Sequence, residues 1–432
     1  MEIQEDSQIF LEKSEDKVVK IVSHHDTDGI TSAAIMAKTL KKLDRQFTIK
    51  IVKRLEEEHI KTNKNEILLL LDLGSSYIEK LGENSFVIDH HETIGDPKDD
   101  VTLINPYVEE KDNISSSGIT YLFSKKLIGK DEKLANLGVI GMIGDRLKDS
   151  EDSNMGKEVI EDASLKVKKG LQLYPATRPI HKALEFSSSI YIPGITGKPK
   201  KINRVLKEIG IKKEKGQFKR VIDLNEDETN QLLNIILSRT KMDEEELMGE
   251  IYIVNFFDRK MDAREISSMI NACSRQGHKN TAFLLCLEKE GSKRKVEDIY
   301  ANYKQRLISA LNYAEENMEK GKSYVLVNGK DKIGDTIIGT ISSILANSKK
   351  TGDGKIVLGM AKNKDNIKVS ARLIGNENKN VREILKNILD RMEGDYRFGG
   401  HSEAAGCQIP IEKEENFINN MKEVLKMDVV KV

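Results

Sequence analysis

The stretch "VVKIVSHHDTDGITSAAIMAKTL", residues 18–40, sets an apolar run against a helix-forming run and places His24, His25, Asp26 and Asp28 at the join. β-Branched residues fill the first part, as in a strand buried on both faces, and the small and apolar residues of the second recur at helical spacing. Three more apolar runs, "FTIKIV" (47–52), "EILLLLDLG" (66–74) and "SFVIDHH" (85–91), alternate with helical stretches up to about residue 150. Nearly continuous apolar strands separated by helices predict an α/β domain built on a doubly wound parallel sheet.

At 432 residues the chain exceeds one ordinary core, so two or three domains are expected. Residues 115–172 read as mainly helical, and Pro and Gly cluster over 187–200 in "SSSIYIPGITGKPK". A second α/β pattern runs from about 248 through "EIYIVNF", "DAREISSMINACSRQ", "TAFLLCL" and a long helix over roughly 293–318. A third, "SYVLVNG", "DTIIGTISSILANS", "KIVLGMA" and "IKVSARL", follows. The expected divisions are 1–186, 187–320 and 321–432.

The 70 basic and 70 acidic side chains cancel, so any attraction for a polyanion is local. The most basic segment lies between Gly197 and Arg220, with ten Lys or Arg against two Glu and little aromatic interleaving. It reads either as a groove for single-stranded nucleic acid or as a solvated surface. Three scattered cysteines, Cys273, Cys286 and Cys407, exclude a zinc ribbon and a disulfide framework and point to a reducing cytoplasm. No apolar run is long enough to span a membrane, and "MEIQEDSQIF" lacks the features of a signal peptide.

Four places in the first domain put an acidic or imidazole side chain just past an apolar strand or at the end of a buried helix. They are His24, Asp26 and Asp28 after "KIV", Asp72 after "EILLLL", Asp89, His90 and His91 after "SFVI", and Asp145 after "GVIGMIG". In an open parallel sheet the carboxyl ends of the strands face one crevice, so these groups can converge. Five carboxylates brought together repel, because burial and like charge both oppose ionisation. Divalent cations reverse that penalty. Oxygen and imidazole donors without thiolate suit Mn²⁺ or Mg²⁺, and the ligands suffice for two ions about 3.5–4 Å apart. A lone aspartate after a strand is ordinarily a turn former or a helix N-cap. The ordered conjunction of all four motifs lifts this set above that reading, whereas His59, His181 and His278 read as surface or packing residues.

These motifs resemble those of the DHH phosphoesterases, named for the tripeptide found here at Asp89–His91. The resemblance runs through "SHHDTDG", "LLLLDLG", "VIDHHE" and "GMIGDR", and continues in "FGGHSEAAGC" and "IKVSARL", which are similar to the DHH-associated domain. "YIPGITG" and "DAREISSMINACSR" are similar to segments of archaeal RecJ-like proteins. It implies a parallel-sheet DHH catalytic domain and a smaller α/β C-terminal DHH-associated domain with a cleft between them. His24, Asp26, Asp28, Asp72, His90 and Asp145 would hold two Mn²⁺ (or Mg²⁺), with Asp72 and Asp145 as bridges. Asp28, Asp89 and His91 are implied in catalysis, His91 facing the scissile phosphate and Asp89 orienting a histidine from behind. Ser370, Arg372, Gly399, Gly400 and His401 would hold a terminal phosphate or end nucleotide; His25 stands at a variable position.

The activity so implied is exonucleolytic release of mononucleotides from single-stranded DNA or RNA, in replication, repair or RNA processing. Two alternatives stand beside it: a replication scaffold bound to the GINS complex, and a phosphoesterase of short oligoribonucleotides or cyclic dinucleotides. The chain departs from the bacterial RecJ pattern at His24, where Asp is common, and shows no C-terminal OB-fold signature.

Overall fold

Helix α1 (Ile3–Lys13), strand β1 (Val18–His24) and helix α2 (Thr27–Lys42) begin the chain. The computed structural model describes residues 3–108, 112–145, 152–187, 190–348, 354–375 and 379–427. Two compact units result, Met1–Lys168 with Ile251–Ala301, and Lys169–Glu250 with Asn302–Val432.

In the first unit β1 is joined by β2 (Phe47–Val52), β3 (Glu66–Leu71), β4 (Ser85–Ile88) and β5 (Val101–Ile104) in the order β2-β1-β3-β4-β5, with every pairing parallel. The expected parallel α/β sheet is therefore present, with β5 as an edge strand the apolar runs did not announce. Alternation sends Val22, Leu68, Leu70 and Val87 to one face, where they pack with Ile78 and Leu81. On the other face Phe86 meets Phe10 of α1 edge-on at 5.1 Å, and Phe10 meets Phe123 at 5.5 Å.

Phe123 belongs to α3 (Ser116–Ile128), which packs with α4 (Glu132–Gly144) and α2 behind the sheet. These helices approach closely because small residues line their contacts. A Cβ on Gly141 would overlap Ser117 Oγ and Thr31 Oγ1. Residues 165–171, expected to continue the helical region, instead form a strand. Strands β6 (Met248–Phe256) and β7 (Arg259–Asp262) pair antiparallel and lead into α5 (Ala263–Arg275) and α6 (Lys279–Cys286). The second of these covers "TAFLLCL", whose placement in an α/β run suggested a strand. Both helices pack against α2 and α5 also packs against α4, which is why Ile251–Ala301 joins the first unit. The three consecutive segments expected from the sequence do not coincide with that grouping.

In the second unit the sheet follows the order β12-β13-β11-β10-β9-β8, from β8 (Glu319–Lys320), β9 (Tyr324–Asn328), β10 (Ile356–Asn363), β11 (Asn366–Leu373), β12 (Phe398–Gly400) and β13 (Ala404–Pro410). Only β9 and β10 pair parallel; the remaining pairs are antiparallel. Helix α7 (Asp335–Ala346) covers one face at Gly359, while α8 (Val381–Leu389) and α9 (Glu414–Met427) bury Leu358, Met360 and Val369 on the other. No helix among the described residues is long and apolar enough to cross a membrane.

The close approach at Gly141 is testable. Helix propensity alone favours alanine over glycine by about 1 kcal/mol, but overpacking a filled core costs about 1–3 kcal/mol. Gly141→Ala should therefore lower the free energy of denaturant unfolding by up to roughly 2 kcal/mol. Gly82→Ala, where an added Cβ meets open space, should change it by less than about 0.5 kcal/mol.

Candidate metal centre

The register of the parallel sheet assembles the site. Ser23 pairs with Leu71, Leu71 with Ile88 and Ile88 with Ile104, so the residues that follow, His24, Asp72, Asp89 and Asn105, form one row at the carboxyl ends of the strands. Backbone bonds extend the row by one step, since Asp72 N–H donates to Ile88 O at 2.9 Å and Asp89 N–H to Ile104 O at 3.3 Å. The strand order reverses between β1 and β3, where an open α/β sheet offers a crevice. Asp72 takes a left-handed backbone with φ 59°, which aspartate tolerates better than most residues.

Among the described residues three groups of three side chains could each hold an ion within ligand reach. One, Glu56, Glu58 and His59, belongs to a different place, and two are here: His24, Asp26 and Asp72, and Asp72, His90 and His91. Asp72 belongs to both. His24 Nδ1 lies 3.0 Å from Asp26 Oδ2 and 3.2 Å from Asp72 Oδ2. His90 Nε2 lies 3.4 Å from Asp72 Oδ1 and 4.0 Å from Asp28 Oδ2, and its Nδ1 lies 3.6 Å from Asp145 Oδ2. The four aspartates and two histidines expected as ligands thus surround one place, although Asp145 reaches it only beside His90. Arg146, the last residue of the "GMIGDR" motif, lies outside the described residues.

Asp28 has a second task. Ser115 precedes α3 without a side-chain cap, and the amides of Ser116 and Ser117 donate to the two Asp28 oxygens at 2.8 and 2.9 Å. Ser116 Oγ also donates to Asp72 Oδ1 at 3.2 Å. A carboxylate at a helix N-terminus is favoured by the orphan amides and the helix dipole. Asp26 does the same for α2, accepting from Gly29 N–H at 3.0 Å. Gly29 is obligatory there, since a Cβ would stand 2.5 Å from the His24 carbonyl oxygen.

Behind His91 the support is buried. Its Nδ1 lies 2.7 Å from Asp89 Oδ1, and Asp89 accepts from the amides of His90 at 2.9 Å and Ser75 at 3.0 Å. Asn105 Nδ2 donates to the His91 carbonyl at 2.8 Å and to Ser75 Oγ at 3.2 Å. Asp89 is 1% exposed while the His91 side chain is 58% exposed, so one is fixed and the other faces outward. Ser75, Asn105, Ser116 and Ser117 were not singled out in the sequence. The serine run at 115–117 before a helix was the available signal, but its amide partners are not legible there.

The donor set fits divalent cations, and its charges show why. Burial, then the charges of Asp26 and Asp28, push the Asp72 carboxyl up to about 7. Burial likewise raises Asp145, partly offset by His90. Burial opposes the charge on His24, but hydrogen bonds to Asp26 and Asp72 outweigh it and bring the imidazole up to about 10; His90 is also brought to about 10, chiefly by Asp72 against burial. Without cations, protons on imidazoles hold the carboxylates together. His25 behaves oppositely, lowered to about 4 by burial and then by His24, and its buried Nδ1 has no hydrogen-bond partner among the described residues. Its carbonyl accepts from Ser274 Oγ of α5.

The residues expected to bind substrate belong to the second unit. Ser370 pairs with Gly406, which pairs with Gly399, so the three share a row; Gly400 takes φ 132° and His401 N–H donates to Ala404 O at 2.8 Å. Half-buried Arg372 donates through Nε to Ser343 Oγ of α7 at 3.0 Å. Gly399, Gly400 and His401 are exposed.

Residues 18–142 match the DHH family N-terminal domain, residues 173–246 the DHH-CID domain and residues 322–427 the DHHA1 domain. With all three domains matched in order, the chain belongs to the DHH family. An uncharacterized protein of Methanocaldococcus jannaschii is 27% identical over 94% of this chain and 93% of its own length. The single-stranded-DNA-specific exonuclease RecJ of Bacillus subtilis is 24% identical over 31% of this chain and 19% of its own. Among solved structures, exonuclease RecJ bound to manganese matches with a TM-score of 0.61 at 16% identity, covering 100% of this chain and 97% of that one. Cdc45 from Entamoeba histolytica matches at 0.68 and 13%, covering 98% of each. The fold is thus shared with RecJ and Cdc45.

Metal binding requires neutral imidazoles, whereas the carboxylates around them raise His24 and His90 well above the ordinary histidine range. A cation bound by these rings would have to displace the protons that the carboxylates favour there. Mn²⁺ binding should release more than one proton per chain and tighten as pH rises toward 10. Calorimetric titrations in buffers of differing ionisation enthalpy read the proton count.

Proposed function

We propose that this chain is a metal-dependent phosphodiesterase that removes mononucleotides from an end of single-stranded DNA or RNA. One observation carries the reading: the buried carboxylate of Asp72 faces His24 through one oxygen at 3.2 Å and His90 through the other at 3.4 Å, so a single carboxylate could serve two cations. The RecJ likeness over nearly the whole of both chains supports it.

In this reading His24, Asp26 and Asp72 would hold one Mn²⁺ or Mg²⁺, and Asp72, His90, Asp28 and Asp145 would supply the donors for the other. When bound, the cations supply Lewis acidity and lower the pKa of water. The protein's own residues do the rest. Asp28, anchored by two helix amides, and Asp72, fixed by its backbone, hold their oxygens without reorganisation. His91, aligned by Asp89, presents its other nitrogen outward, where it can donate a hydrogen bond to a phosphate oxygen. In the second unit half-buried Arg372 and the exposed Gly399–Gly400 turn carry a guanidinium and a close backbone approach of the kind that suits a terminal phosphate. Association with GINS is independent of this chemistry, and a pull-down with the purified complex reads it separately.

Oligonucleotides labelled at either end, as DNA and as RNA, test the reading. Mononucleotides should appear from one end with Mn²⁺, vanish on chelation, and be lost in Asp72→Asn and His90→Ala. Asp89→Asn, which frees His91, should reduce the rate about 10–100-fold. A wild-type preparation that releases no mononucleotide with either cation would overturn it.

A further inference from the structure

The basic segment becomes a defined surface in the structure. Residues Pro199–Glu208 form a helix that buries Ile202 and Leu206 and leaves Lys200, Lys201, Arg204 and Lys207 exposed. These four recur at one-residue, three-residue and four-residue steps, so they share one side of the helix. From Lys200 to Lys207 the stripe is about 10 Å long. Ile211 N–H closes the helix by donating to Leu206 O at 2.9 Å, and a turn pinned by reciprocal bonds between Glu214 and Gln217 brings exposed Lys212, Lys213 and Lys215 next in the chain.

The charges of this segment divide into two kinds. Those at its ends are neutralised within the fold: Lys198 by Glu315 at 3.1 Å, Lys219 by Glu228 at 3.1 Å and Arg220 by Asp223. The seven between them make no ion pair among the described residues; Lys213 instead lies over the Phe218 ring at 5.3 Å. Like charges one helical turn apart destabilise a helix. The stripe is thus maintained against the helix's own stability; Glu208, four residues after Arg204, is the one acidic residue of the helix and forms no ion pair with it among the described residues.

We infer that the side of helix Pro199–Glu208 carrying Lys200, Lys201, Arg204 and Lys207 binds the phosphate backbone of single-stranded nucleic acid. The choice of nucleic acid as occupant rests on the function proposed above. The chemistry is that of point charges against phosphates, because Phe218 is buried and the exposed face offers no aromatic ring for base stacking. Binding there should be strongly salt-dependent, indifferent to base sequence, and equal for DNA and RNA.

Fluorescence anisotropy of labelled oligonucleotides with the full chain in EDTA tests this without hydrolysis. The variant Lys200→Gln/Lys201→Gln/Arg204→Gln/Lys207→Gln should reduce the slope of log affinity against log salt by up to about 3, at about 0.7 for each single-strand phosphate no longer neutralised. Its melting temperature should stay or rise, because like-charge repulsion is relieved, which separates removal of the charges from failure to fold. An unchanged slope would overturn the inference. So would unchanged oligonucleotide binding with loss of binding to phosphatidylserine vesicles, which would assign the stripe to a membrane surface. Absence of mononucleotide release with a normal slope would count against the proposed activity alone.

Discussion

The central constraint is electrostatic crowding around Asp72. At an effective dielectric of 20, two unit charges 4 Å apart interact by about 4 kcal/mol, and Asp72 has Asp26 and Asp28 as like-charged neighbours. A fold can tolerate that only by placing positive charge among the carboxylates. His24 and His90 provide it, their imidazoles raised by the carboxylates they hydrogen-bond; a bound cation would supply the same charge and leave the rings free to serve as donors. The same side chains therefore serve as counter-charges in one state and donors in the other.

Much of this was legible because a parallel sheet turns sequence position into spatial position. His24 ends, and Asp72 and Asp89 follow, a strand of nearly unbroken apolar residues, and the register sets them side by side. The supporting residues were less legible for a physical reason. Asp28 is held by the amides of Ser116 and Ser117, and a backbone amide leaves no mark on residue type. Asn105 follows β5, a strand too short and too mixed in polarity to stand out among the apolar runs.

The domain grouping was hidden for a related reason. Nothing local in "DAREISSMINACSR" tells that its helix packs beside α2 and α4; the contact joins segments more than a hundred residues apart, as in the bond from Thr27 Oγ1 to Ser267 O at 3.1 Å. "TAFLLCL" illustrates the ambiguity of short apolar runs, which suit a buried strand or a buried helix equally until their neighbours are known. In the second unit the pattern gave the elements, but the mostly antiparallel pairing depends on connections that periodicity does not encode.

The Asp28 cap has one more consequence. The start of a helix ordinarily attracts anions, and phosphate is the usual visitor. Here the chain has installed its own anion at that address, so α3 cannot compete for a phosphoryl group approaching the crevice. The amides that begin α3 are already answered from within the fold, and that terminus is closed to any outside anion.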